Sequence, residues 1–310
     1  MDIQHIVIAS PMHEEIKRII EEKGIKKSFR YLSDEEFTQA DLDWADAFVS
    51  FNMKGQFDYR QLQWVHSLGA GVDRFLYKKE WPENVCLTRT VCSFGQRIAE
   101  YCLSYVLKDL QAHGQFHTLK QQKKWQPMTP GLLNEQKVMI YGTGEIGQTT
   151  AKIFSGFGVE VHGVSLSGKA KEGFKQVMTL EAHYKKLTEM DYIINTLPLT
   201  EQTFELFGGK VFSRLSARGF INVGRGASLN EKALLDAINR NNLNFAVLDV
   251  FAEEPLPEDN PLWAHPNVII TPHISAVTTA REGVECFIDT LRNIEADKPL
   301  FNKVDAKRGY

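Results

Sequence analysis

Cysteine is scarce in this chain: Cys86, Cys92, Cys102 and Cys286 are the 4 in 310 residues, and no two are spaced CxxC. That leaves neither a disulfide framework nor thiolate metal-ligand spacing, and it suits reduced thiols in a cytoplasm. No metal is expected. Lysine and arginine form no cluster and the formal net charge is −3, so there is no electrostatic footprint for nucleic acid or for an anionic membrane surface. The opening "MDIQHIVIAS" has no basic segment leading into an apolar one, and the apolar run "IAEYCLSYVL" is broken by Glu100. Neither a signal peptide nor a membrane span is expected. With 24% charged and 43% hydrophobic residues, the chain has the balance of a globular protein, long enough for two domains. Small molecules are the expected partners.

Short apolar runs alternate with helical patterns along the whole length, the signature of βαβ units and therefore of an α/β fold with parallel sheets. The runs "HIVIAS", "KSFRYL", "DAFVSF", "QWVHSL" and "NVCLTR" predict a first sheet of five strands. From about Lys137, "KVMIYG", "VEVHGV", "DYIINT", "GFINVG", "FAVLDV" and "NVIITP" predict a second sheet of six. Between them a helical pattern runs from about Gly95 to Lys124 and ends near the punctuation "QPMTPG"; another runs from about Ala276 to Asp297. The expected architecture is two doubly wound parallel-sheet domains.

In "KVMIYGTGEIGQTTAKIFSGFG" the glycines Gly142, Gly144 and Gly147 follow an apolar strand and open a helical pattern. In that context GxGxxG is a dinucleotide fingerprint, and the loop Gly142, Thr143, Gly144, Glu145, Ile146, Gly147 is the expected pyrophosphate site. About 20 residues on, an acid ordinarily accepts hydrogen bonds from the ribose of NAD. Here "VSLSGK" places Ser165 at that position, followed by Ser167 and Lys169. Two hydroxyls and an ammonium suit a 2′-phosphate where an acid would repel it. NADP(H) is the expected cofactor by preference, with NAD(H) also possible; a plain solvated loop stays open as the alternative.

Three more stretches put a charged or titratable side chain at the C-terminal end of a predicted strand: Arg225 in "NVGRGASLN", Glu254 in "LDVFAEEPLP" and His273 in "TPHISA". Ligands of open α/β sheets bind at such ends. Together with "GTGEIG", "SLGAGVD", "INTLPLT" and the closing "LFNKVDAKRGY", these stretches resemble the D-isomer-specific 2-hydroxyacid dehydrogenase family, and within it the glyoxylate/hydroxypyruvate reductases. The resemblance covers the chain from about Ser67 onward.

The resemblance implies a Rossmann-type cofactor domain, about 98–279, inserted into a flavodoxin-like substrate domain made of about 1–97 and 280–310, with the substrate between them. It implies Arg225, Glu254 and His273 as the catalytic set. Arg225 is then also the residue that holds the substrate, with Phe51 lining its pocket and the amides of Ala70 and Gly71 cupping its carboxylate. It further implies Asp249 as a partner of the nicotinamide carboxamide, with Leu197, Pro198, Val223 and Gly224 bordering the nucleotide. NADP-linked relatives tend to carry arginine in the ribose loop, where Lys169 is the only cation here. The expected activity is reduction of a small 2-oxo acid such as glyoxylate or hydroxypyruvate to the (R)-2-hydroxy acid by a cytoplasmic homodimer, with the "KKWQPMTPGLL" arm as the candidate interface. Two alternatives stay open: a dehydrogenase for longer or branched 2-oxo acids, and a dinucleotide-sensing corepressor-like binding protein.

Overall fold

The computed structural model describes residues 1–51 and 55–310. The chain divides into two compact units, one formed by Met1–Cys92 with Thr278–Tyr310 and the other by Ser93–Val277. These limits precede the sequence boundaries at 98 and 279 by a few residues, because the helix that opens the second unit already begins at Phe94 and buries Phe94 and Gly95 in its first turn.

The first unit holds β1 (His5–Ala9), β2 (Ser28–Leu32), β3 (Ala47–Ser50), β4 (Trp64–Ser67) and β5 (Cys86–Arg89), in the order β2-β1-β3-β4-β5. Every pairing is parallel. Strands covered on both faces read as unbroken apolar runs, which is why all four residues of β3 and of β4 are buried. One face packs Ile6, Ile8 and Trp64 against Val284, Phe287 and Leu291 of the helix Ala280–Glu295. The other packs Val7, Phe48 and Val65 against Leu42 and Phe75. Thr279 and Glu282 form a capping box at the start of the C-terminal helix, which fixes its beginning and is worth about 1 kcal/mol.

The second unit holds β6 (Lys137–Tyr141), β7 (Glu160–Val164), β8 (Gln176–Met178), β9 (Tyr192–Asn195), β10 (Ala217–Asn222), β11 (Leu243–Leu248) and β12 (Val268–Ile270). Their order is β12-β11-β10-β9-β6-β7-β8, again all parallel. The sheet has seven strands where the sequence pattern predicts six. The extra one, β8, is a three-residue edge strand, "QVM", with an exposed first residue, too short to show a period. The order reverses beside β6, so the crevice for a ligand opens at the C-terminal ends of β6 and β9.

The long helical pattern after Gly95 also resolves differently. It is two helices, Phe94–Leu110 and His113–Gln121, broken at Ala112, whose φ of +53° is left-handed. The first buries Ile98, Cys102, Val106 and Leu110; the second buries no side chain. No helix among the described residues is long and apolar enough to cross a membrane.

Candidate active site

β6 delivers the chain into Gly142, whose φ is +95° and whose amide donates to Val164 O of β7 at 2.9 Å. A Cβ on Gly147 would lie 1.9 Å from Gly142 O, so the helix Glu145–Gly156 approaches the turn closely only because a glycine stands there. Gly144 differs, since a Cβ there would meet nothing within 4 Å. The space above it is the cradle a phosphate needs. The first helical bond runs from Gln148 N to Gly144 O at 2.8 Å, so the preceding amides and the positive end of the helix dipole point into that space. Thr143 is buried against Gly163, while Glu145 is exposed and Ile146 half-buried at the helix start. The residues present fit a dinucleotide pyrophosphate.

At the end of β7 the Ser165 hydroxyl accepts from Gly168 N at 3.2 Å and the Ser167 hydroxyl accepts from Lys169 N at 3.3 Å. The loop is thus folded back by its own serines, with Leu166, Ser167 and Lys169 exposed around the turn. Leu197 and Pro198 follow β9, and Val223 and Gly224 follow β10. A Cβ on Gly224 would lie 2.7 Å from Leu197 O, so these two segments abut.

The Arg225 loop is held from beneath by side chains that motif reading missed. Asn195, at the end of β9, donates to Asn222 Oδ1 at 2.8 Å and to Ser228 Oγ at 2.8 Å. Ser228 Oγ in turn donates to Arg225 O at 2.6 Å, and all three polar side chains are buried. The signal was the asparagine that closes both "YIIN" and "FIN". Gly226 turns the loop against the next one: a Cβ there would stand 1.8 Å from the carbonyl carbon of Phe251. Arg225 Nη1 donates to Gly224 O at 2.8 Å.

Phe251 N donates to Glu254 Oε1 at 2.9 Å, and Glu254 Oε2 lies 2.9 Å from His273 Nδ1. With Glu254 present as a carboxylate, Nδ1 is the donor of that pair, leaving Nε2 for a reacting group. Burial works to raise the Glu254 carboxyl, but the His273 hydrogen bond, the Phe251 amide and the charges of His273 and Arg225 outweigh it and hold it below the usual carboxylate range. The structure therefore brings Arg225, Glu254 and His273 together, with the His273 side chain 49% exposed.

His273 has φ +55°, a conformation that costs a non-glycine residue roughly 1–3 kcal/mol. Asp249 holds it. His273 N donates to Asp249 O at 2.8 Å. The Asp249 carboxylate accepts from Thr271 Oγ1 at 2.6 Å, Ile274 N at 2.8 Å and Ser275 N at 2.9 Å. It is 0% exposed.

In the first unit, β4 ends at Ser67, whose hydroxyl accepts from Gly69 N at 3.3 Å and lies 3.0 Å from Gly71 O. This gathers the glycine-rich turn. The amides of Ala70 and Gly71 donate to no acceptor among the described residues. Phe51 is half-buried beside them, its ring 3.7 Å from where a Cβ on Gly69 would stand. Among the described residues no group of three or more His, Cys, Asp or Glu side chains is placed to hold a metal.

Residues 103–275 match the family model described as D-isomer specific 2-hydroxyacid dehydrogenase, NAD binding domain. A glyoxylate/hydroxypyruvate reductase A of Serratia proteamaculans is 34% identical over 257 residues, covering 81% of this chain and 82% of that one. Among solved structures, a D-isomer specific 2-hydroxyacid dehydrogenase from Xanthobacter autotrophicus in complex with NADPH and MES superposes with TM-score 0.88 at 29% identity, covering 100% of both chains. The NADPH-dependent glyoxylate/hydroxypyruvate reductase of Sinorhizobium meliloti, in complex with NADP and sulfate, gives 0.86 at 27% identity over 99% of this chain and 100% of that one. With its glycine cradle and its arginine, glutamate and histidine at the strand ends, the chain belongs to the D-isomer-specific 2-hydroxyacid dehydrogenase family.

Proposed function

We propose that this protein reduces a small 2-oxo acid, glyoxylate, hydroxypyruvate or a close analogue, to the (R)-2-hydroxy acid with NADPH in preference to NADH. The observation that carries the reading is the His273 Nδ1 to Glu254 Oε2 pair at 2.9 Å, set beside Arg225 at the C-terminal rim of the same sheet as the glycine cradle. NADPH, when bound, supplies the hydride. Arg225, with its planar fork of donors, holds the substrate carboxylate and polarises the neighbouring ketone. His273 Nε2–H gives its proton to the ketone oxygen as negative charge develops there. Glu254 fixes the orientation of the imidazole ring through Nδ1. In oxidation the same Nε2 accepts the proton.

The amides of Ala70 and Gly71 form a nest for the substrate carboxylate, and Phe51 beside them limits the room for a longer substrate chain. Leu197, Pro198, Val223 and Gly224 border the nucleotide, while Ser165, Ser167 and Lys169 face a 2′-phosphate. Names of relatives that specify NADPH and glyoxylate or hydroxypyruvate support this choice over longer substrates.

We infer a homodimer as well. The helix His113–Gln121 buries nothing, and Phe116, Trp125 and Leu132 are 38%, 101% and 56% exposed, an apolar display that suits a partner copy. The four cysteines, which form no disulfide, suit a cytoplasmic setting. Steady-state kinetics on glyoxylate, hydroxypyruvate, pyruvate and a branched 2-oxo acid, with NADPH and NADH in parallel, test the reading. Cofactor binding without oxidation on any of these substrates overturns it, and faster turnover of the branched acid moves the substrate class. Light scattering of wild type and Trp125→Glu tests the dimer.

A further inference from the structure

The Asp249 clamp under His273 extends to a residue far from it in sequence. Tyr101, on the helix Phe94–Leu110, lies with its hydroxyl 2.6 Å from Thr271 Oγ1, and Thr271 Oγ1 lies 2.6 Å from Asp249 Oδ1. The direction of the protons follows from the chemistry. A carboxylate only accepts, so the single Thr271 hydrogen is spent on Asp249, and the Tyr101 O–H has to donate to Thr271. Burial pushes the Tyr101 hydroxyl well above the usual phenol range, which keeps that donor protonated. The same Oδ1 takes the Ile274 amide at 2.8 Å, Oδ2 takes the Ser275 amide at 2.9 Å, and the Asp249 carbonyl takes the His273 amide at 2.8 Å.

We propose that Tyr101 is a positioning residue: through Thr271 it fixes the orientation of the Asp249 carboxylate, and thereby holds His273 in the left-handed backbone from which its imidazole meets Glu254. The His273 amide also reaches Thr271 O, at 3.1 Å, within the same loop. Pro272, which precedes His273, has no amide hydrogen, so the loop's main-chain donors begin at His273 itself and all three converge on Asp249. A carboxylate free to rotate about its last bond cannot keep two successive amides at once; the tyrosine and threonine stop that rotation. The helix therefore reaches the proton donor through a chain of short hydrogen bonds as well as through the core that Tyr101 shares with Val247, Ile269 and Ala276.

This inference rests on the reading of His273 as the proton donor, and the test separates the two. Tyr101→Phe, Thr271→Val and Thr271→Ser are compared in the full-length protein by kinetics and by amide hydrogen exchange. Tyr101→Phe and Thr271→Val should lower kcat roughly 10- to 100-fold with KM for NADPH nearly unchanged, and Thr271→Ser, which keeps the hydroxyl, should restore most of the loss. Exchange at Ile274 and Ser275 should quicken about tenfold in the first two variants, with exchange in β6 unchanged. Exchange needs no substrate, so it decides the clamp even if no 2-oxo acid is turned over. Unaltered exchange at Ile274 and Ser275 in Tyr101→Phe overturns the proposal, as does equal slowing by Thr271→Ser and Thr271→Val.

Discussion

His66 makes the first unit acid-sensitive by an amount that can be worked out. Its ring is 0% exposed on β4, packed among Trp64, Phe287, Thr88 and Thr90. Thr88 Oγ1 accepts from Trp64 Nε1 at 2.8 Å, so its own hydrogen goes to His66 Nδ1 at 2.8 Å. Thr90 spends its hydrogen on Ser67 O, leaving its oxygen to accept from His66 Nε2 at 3.2 Å. This pattern is complete only for the neutral ring. Burial pulls the pKa from 6.5 down to about 3. The folded state therefore resists a proton that the unfolded chain takes up below 6.5: the stability is fully present above that value and is lost as pH falls through it toward about 3. Between pH 7 and pH 5 the loss is about 2 kcal/mol, a sizeable part of a typical domain's roughly 5–15 kcal/mol. The perturbation is His66→Gln, which keeps an acceptor and a donor but cannot titrate. The assay is urea unfolding at both pH values by tryptophan fluorescence, with Trp44, Trp64 and Trp81 in the same unit as His66. Other titrating groups cancel in the wild-type-minus-variant difference. Equal pH dependence in the two proteins would show that His66 protonates without cost in the fold.

Replacing His273 by Ala should cut turnover about 10²–10⁴-fold while NADPH binding, followed by fluorescence, stays near wild type; unchanged turnover would refute its role. Glu254→Gln keeps an acceptor for Nδ1 but removes the charge, so kcat should fall about tenfold or more with NADPH binding near wild type, and an unchanged kcat would refute its role. Gly144→Ala should leave thermal unfolding almost unchanged and abolish tight NADPH binding, since its Cβ enters only the open cradle. Gly147→Ala, driven into Gly142 O, should destabilise the second unit by roughly 1–3 kcal/mol or more. Lys169→Ala should weaken NADPH by about two- to fivefold and NADH by less, and an equal loss for both would mean that the loop ignores the 2′-phosphate.

Most of the architecture was legible because parallel strands buried on both faces are spelled as apolar runs, from "HIVIA" to "NVII". β8 was not, because three residues at a sheet edge carry no period. The break at Ala112 was invisible for another reason: an alanine in left-handed backbone gives no glycine or proline to read. At the site, Arg225, Glu254 and His273 stood out because charge is unusual where apolar strands end. Their supports did not. Asn195 meets Ser228 across 33 positions and Tyr101 meets Thr271 across 170, and hydrogen bonds between polar residues so far apart leave no mark on local pattern. The buried Tyr141 hydroxyl, which has no hydrogen-bond partner among the described residues, was equally silent, because it occupies a position that spacing alone assigns to the core.

The contact of Gly226 on Phe251 sets a mechanical condition on the site. Main chain rests on main chain there, with no side chain between whose rotamers can absorb a misfit. The loop that carries Arg225 and the loop that carries Glu254 are therefore geared together: a shift of a few tenths of an ångström in one is passed on undamped to the other. Substitutions that reshape either loop will be tolerated in matched pairs far more often than singly.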